Sequence, residues 1–309
     1  MTHQQLQYSE PMPGADVESI IARLAREASI EINVQDLKDL EASRALLRTG
    51  QKIFVSFLPK QSWEQTETAC RTIKSAGLEP VPHVPVRLLA DEQALDTLFG
   101  RLVCDAGVEE VLLLSGDYPQ AIGPFSRVED VLSTGVLAKY GLKRVSFAGH
   151  PEGHPKVPVE EIRRAERAKL LTAAESGMEA SLVTQFFFEA EPFLAWERDL
   201  RSTGVRARFV AGLAGPARIA TLFKFALRCG AGPSIRALGA RPSAFTKLIG
   251  DHGPQNVMRD LAAAHSKGAS GFAGIHLFCF GGYLRTCEWL NRLANGQFSL
   301  NRSGGFDLD

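Results

Sequence analysis

The chain has 309 residues, enough for one large α/β domain or two small ones. Lysine plus arginine equals aspartate plus glutamate at 35 each, so no net field draws it to nucleic acid or to an acidic membrane, and a small-molecule partner is the default expectation. Five scattered cysteines (Cys70, Cys104, Cys229, Cys279, Cys287) include no CxxC pair, which argues against a disulfide framework and a zinc site and suggests reduced thiols in a cytoplasmic setting.

The opening MTHQQLQYSEPMPG is polar and lacks the basic and apolar regions of a leader, and nowhere do ~18 uncharged apolar residues run together. Residues 1–26 are expected to contribute a short helical extension. Apolar runs rich in β-branched residues follow at 28–34, 52–58, 79–84, 110–114, 144–148, 180–188, 206–212 and 274–280, each expected to be a buried strand. Helical patterns fill the intervals. Asp91 is placed to cap a helix burying Leu95, Leu98, Phe99, Leu102 and Val103, closed by Gly107. Ser126 and Glu129 read as a capping box ahead of Val131, Leu132 and Leu137, closed by Gly141. Pro192 opens a segment with Phe193, Trp196 and Leu200 on one stripe, and Ile219, Leu222, Phe223 and Ala226 repeat the pattern before Gly230. Eight strand–helix units without a composition break predict a (β/α)8 TIM barrel over residues 27–298, with a doubly wound open sheet as the rival. The polar, Gly-rich tail 299–309 is expected to be loosely held.

In such a barrel chemistry gathers at the C-terminal ends of the strands. Glu31 lies in the first run, His83 ends the third, Ser115-Gly116-Asp117 ends the fourth, His150 and His154 in HPEGHP follow the fifth, and Gln185 lies in the sixth. Each has a plainer reading: a solvent-facing carboxylate, a core histidine, a turn, an amide bonded to backbone. Pro151 and Pro155 break any helix that would pair His150 with His154 on a metal, and no HExxH is present. GASGFAG at 268–274 precedes a strand instead of following one, so it is no dinucleotide fingerprint.

These pieces resemble the methylenetetrahydrofolate reductase family, with SIE at 29–31, VSF at 55–57, PH at 82–83, SGDYP at 115–119, HPEGHP at 150–155, TQFFFE at 184–189 and AGLAG at 211–215 in family order. The resemblance implies a flavin-dependent barrel in which NAD(P)H, as NADH or NADPH, reduces FAD and 5,10-methylenetetrahydrofolate is then reduced to 5-methyltetrahydrofolate. It implies Glu31 as general acid, Asp117 as a catalytic charge near flavin and pterin, and Gln185 as a contact to both substrates. It further implies His83, Ser115, Gly116, Asp117, Ser126, His150 and His154 as FAD contacts, and a homo-oligomer. A carboxyl flanked by Ile30 and Ile32 is expected to be desolvated and protonated near neutral pH.

The sequence also departs from the family. Ile32-Asn33-Val34-Gln35 replaces aromatics and prolines, Ser115 stands where an arginine is usual, His150 where an aromatic is usual, Ala173 where a lysine is expected, and Phe280-Gly281-Gly282 replaces a more polar turn. A basic cluster of Arg163, Arg164, Arg167 and Lys169 is expected to compensate, with Lys169 near the FAD phosphates. A folate-binding barrel without flavin activity and a folate-linked methyltransferase are the competing functions. No regulatory domain is expected after the barrel.

Overall fold

The computed structural model describes residues 14–116, 118–217, 221–222 and 253–309. The expected strands close into one barrel in the order β1-β2-β3-β4-β5-β6-β7-β8. They are β1 Ser29–Ile32, β2 Lys52–Val55, β3 Glu79–Pro85, β4 Glu110–Leu114, β5 Arg144–Gly149, β6 Glu179–Thr184, β7 Arg208–Ala214 and β8 Gly274–Phe278. Every neighbouring pair is parallel, and β8 returns to β1 with Ser29 opposite His276. A closed ring leaves no edge, so the open-sheet alternative falls. No described helix is long and apolar enough to cross a membrane.

The helices follow from local signals. Helix α1, Val17–Glu27, starts at Asp16, whose carboxylate accepts the Ser19 N–H, and buries Ile20, Ile21, Leu24 and Ala25. A single turn, α2 (Leu40–Ser43), and α3 (Trp63–Ser75) follow. Helix α4, Glu92–Gly100, is capped by Asp91 as expected, with a 2.7 Å bond from the Ala94 N–H, and runs on into a π-helical turn at Arg101–Asp105. The next expected helix is broken. Val128–Leu132 (α5) and Val136–Lys139 (α6) are separated by left-handed Gly135. Its cap is also shifted by one residue: Asp130, not Glu129, accepts the N–H groups of Ser126 and Arg127, both at 2.8 Å. The remaining described helices are α7 (Val159–Glu175), α8 (Ala190–Ser202), α9 (Gln255–Ser266) and α10 (Tyr283–Ala294). The helix expected from Ile219, Phe223 and Ala226 lies outside the described residues.

Strand alternation divides the apolar residues into two layers. Ile30, Ile32, Ile53, Val55, Val111, Leu113 and Phe147 face outward into the main core against the helices. Inside the barrel Phe54, Val81, Leu112 and Val183 pack together, with Leu114 and Val210 against them. Below them the floor is polar: Lys52 Nζ lies 2.5 Å and Arg144 Nε 3.6 Å from Glu110, and Ser146 Oγ donates to Glu110 at 2.6 Å. Burial pushes the Glu110 carboxyl up, but these partners outweigh it and hold the group below its usual value. The tail at 299–309 is not loose. Phe298–Leu300 (β9) and Phe306–Leu308 (β10) pair antiparallel, Phe306 stacks on Trp289, and Arg259 donates to the carbonyls of Asn301 and Gly305.

Candidate active site

At the mouth of the barrel Glu31 stands between two imidazoles. Its Oε2 lies 3.4 Å from Nε2 of His83 on β3 and 3.5 Å from Nε2 of His276 on β8. Both nitrogens are buried, and neither reaches a hydrogen-bond partner at ordinary geometry. The Phe54 ring lies edge-on to both, at 6.2 Å from His83 and 4.7 Å from His276, and Phe278 also meets His276 edge-on at 4.8 Å. On its second nitrogen, Nδ1, His276 bonds Ser29 Oγ at 2.9 Å. His276 sits in the period-two run Gly-Ile-His-Leu-Phe, where alternation turns it inward with Gly274 and Phe278; its apolar neighbours hid that signal.

The expected charge state of Glu31 is overturned. The isoleucines that flank it in sequence point the other way, into the helix layer, so they do not desolvate it. Burial in the barrel does push its carboxyl upward. The His83 and His276 imidazoles beside it outweigh that push and hold Glu31 below the usual carboxylate value. Burial also holds His83 below the ordinary histidine value, against the pull of Glu31. In the open barrel at neutral pH Glu31 is therefore a carboxylate.

A second wall is the HPEGHP loop after β5. Glu166 on α7, 1% exposed, accepts the His150 N–H at 2.8 Å, Arg163 Nη1 at 2.9 Å and Trp196 Nε1 at 3.0 Å. Arg163 also donates to the carbonyls of His150 and Pro151, at 3.0 and 3.1 Å. Gly149 is required beneath this clamp, because a Cβ there would meet the Trp196 ring at 2.9 Å. The rings of His150 and His154 meet edge to face, 5.8 Å apart. Burial, with the charges of Lys169, His154 and Arg163, lowers His150 to about 3, so it is neutral. Gln185 leaves the end of β6 and donates its side-chain N–H to Gly153 O at 3.1 Å, which joins β6 to this loop. The strand stops at Thr184, so alternation fails beyond it. Val183 faces the barrel, but Phe187 turns into the outer layer and stacks on Phe193 at 5.3 Å, while Phe186 joins Phe188, Phe278 and Phe280 at the rim. Phe280, with φ 47°, holds a left-handed conformation rare for an aromatic and stacks on Phe278.

The third wall follows β4. Ser115 is half-buried, and Gly116 has φ 81°, with Tyr118 so close that a Cβ would meet its ring at 2.8 Å. Asp117 lies outside the described residues. Arg87, after β3, spans this loop by donating to the carbonyls of Tyr118 (2.7 Å) and Ser126 (3.1 Å). The basic cluster expected on α7 does not form one patch. Arg163 clamps the HPEGHP loop, and Arg167 faces Asp199 at 3.6 Å on the exposed side. Lys169 is buried, with Nζ on Ala148 O at 3.1 Å and over the Phe147 ring. Burial lowers the Lys169 ammonium despite Glu166 and Glu129. Glu166, Arg87 and His276 are the contributors that motif reading missed. Among the described residues no cluster of three or more His, Cys, Asp or Glu is placed to hold a metal ion.

Fold and site together define a (β/α)8 barrel that holds one carboxylate, Glu31, between two imidazoles from other strands. The chain belongs to the methylenetetrahydrofolate reductase family, whose sequence profile matches residues 55–231, more than half of it. Glu31 and His276 lie outside that span and join the site through barrel closure. Over 165 residues the chain is 28% identical to 5,10-methylenetetrahydrofolate reductase of Pectobacterium carotovorum subsp. carotovorum, covering 53% of each chain. It is 26% identical over 165 residues to the Escherichia coli (strain K12) protein of that name, again covering 53% of each. The matches thus span about half the length of these curated relatives. Among solved structures, dihydropteroate synthase from Thermus thermophilus superposes with a TM-score of 0.46 at 12% identity, covering 86% of this chain and 93% of that one. This likeness adds nothing to the barrel already read from strand order.

Proposed function

We propose that the protein reduces 5,10-methylenetetrahydrofolate to 5-methyltetrahydrofolate at the expense of NAD(P)H, as an FAD-dependent enzyme. The observation that carries this reading is Glu31 held between His83 and His276 in a barrel that also carries HPEGHP and Gln185 at the ends of β5 and β6. The site residues fit a flavin. Leu114 and Ala148, half-buried on the adjacent strands β4 and β5, offer a flat apolar wall for its ring system. The buried Nε2 of His83 has no hydrogen-bond partner within the protein. His83, Ser115, Gly116, Ser126, His150 and His154 would hold it, with Asp117 beside it by family likeness. FAD, when bound, would take a hydride from the nicotinamide and pass it to the folate.

The protein's own part is acid chemistry and placement. Opening the folate's five-membered ring needs a proton at the departing nitrogen, and Glu31 is the acid in reach of the mouth. Because Glu31 rests as a carboxylate, it must gain that proton first. Its side chain is 20% exposed, and a substrate covering the mouth removes the remaining water and favours the acid form. Gln185, half-buried and already oriented by Gly153, presents an amide that bonds either substrate without introducing a charge.

The test is anaerobic mixing of purified protein with NADH or NADPH while following flavin absorbance, then addition of methylenetetrahydrofolate. Bleaching followed by reoxidation is expected; a bleached flavin that folate does not reoxidise sinks the assignment. Glu31→Gln should still bleach and then stall. A second reading, a folate-binding barrel without flavin activity, draws on the engagement of Arg163, Arg167 and Lys169 with protein partners, which leaves fewer cations for a pyrophosphate. A colourless protein that binds folate would favour it.

A further inference from the structure

We propose that His276 is a positioning residue for Glu31: held by Ser29 on one ring nitrogen, it turns an N–H donor toward the carboxylate and so governs how readily Glu31 gives up and regains its proton. The inference deepens the reductase reading and, for its kinetic consequence, rests on it. Barrel register sets the geometry, since β8 closes on β1 with His276 opposite Ser29, which shares the inward face of β1 with Glu31. Ser29 Oγ and His276 Nδ1 are 2.9 Å apart and both residues are buried, so the hydroxyl has one partner to serve. When the hydroxyl donates to Nδ1, the ring proton resides on Nε2, the atom 3.5 Å from Glu31 Oε2. Phe54 and Phe278 pack edge-on against the imidazole and prevent it from turning away.

The other groups around Glu31 do not substitute for this donor. His83 on β3 reaches the same oxygen but has no partner fixing its tautomer at Nε2. Phe54 on β2 carries no charge, and Lys52 beneath it is committed to Glu110. Among the described residues, Cys279 after β8 and Asp36 after β1 are the other titratable groups nearby, and burial keeps the Cys279 thiol protonated. A donor favours the carboxylate over the acid, so its loss moves Glu31 toward the acid form.

The test uses the full chain with glutamate 13C-labelled at the side-chain carboxyl, the Glu31 signal being assigned by its disappearance in Glu31→Gln. His276→Phe keeps the packing between Phe54 and Phe278 and removes the donor. Its Glu31 titration midpoint should rise by about one pH unit or more. Ser29→Ala, a milder change that folds if His276→Phe does not, should shift the midpoint the same way by a smaller amount. In the folate half-reaction the alkaline limb of the pH profile should move upward with the midpoint. A midpoint that stays put or falls in a folded variant overturns the proposal, as does a loss of thermal stability with no shift. The carboxyl titration needs no turnover, so a protein without reductase activity would sink the functional reading and leave this result legible.

Discussion

Replacing Glu166 with glutamine tests the clamp beneath HPEGHP. The wild-type carboxylate is 1% exposed and accepts from three donors, on His150, Arg163 and Trp196, at 2.8 to 3.0 Å. A glutamine fills the same volume but offers one acceptor oxygen, and its amide turns N–H groups toward the guanidinium or the indole. Removing one partner of a buried, hydrogen-bonded ion pair costs about 3–5 kcal/mol. At about 2 °C per kcal/mol for a chain of this size, Tm should fall by ~6–10 °C. Thermal unfolding followed by circular dichroism at pH 7 reads this, and limited proteolysis should show new cleavage between residues 150 and 154. Arg163→Met, which removes the cation and leaves the carboxylate buried, should cost a similar amount. A Glu166→Gln variant within about 2 °C of wild type, its loop still resistant, would refute the claim that this network fixes the wall.

Two further outcomes follow from the same walls. His150 has a folded value of about 3 against an ordinary 6.5, so between those values the unfolded chain binds the extra proton. Its contribution to stability is complete above about pH 6.5 and is lost as pH falls toward 3; His150→Asn should therefore show a shallower decline of Tm over pH 6.5 to 4 than wild type, and equal slopes would disprove it. At Gly116, alanine must adopt φ 81° with its Cβ at 2.8 Å from the Tyr118 ring. A loss of about 1–2 kcal/mol in urea unfolding is expected, with weakened flavin retention, and a neutral substitution would show that the loop is not held as described.

Periodicity and turn chemistry carried the barrel, because eight buried strands with helices between them read as such from their apolar runs and capping signals. Glu31 and Gln185 were legible as polar atoms in apolar runs. The charge of Glu31 was not, since sequence neighbours lie on opposite faces of a strand and the groups that set its proton affinity come from β3 and β8. His276 and Ser29 meet only when the ring closes, which no local window contains. Glu166 carries no motif signal, and only the helix's roll against β5 and α8 makes it the anchor of a loop. The tail looked unstructured because its glycines and polar residues describe a hairpin turn as readily as a frayed end; Phe298 and Phe306 decide between them by burial.

The polar floor has a consequence for traffic. Lys52, Glu110, Arg144 and Ser146 tie β2, β4 and β5 together beneath the Phe54, Val81, Leu112 and Val183 layer. Among the described residues, a molecule coming from below would have to break paired charges and then cross packed hydrocarbon, which leaves the upper rim as the way in. Whatever meets Glu31 arrives and departs across the same lip, so a second visitor must share that threshold or wait for the first to leave.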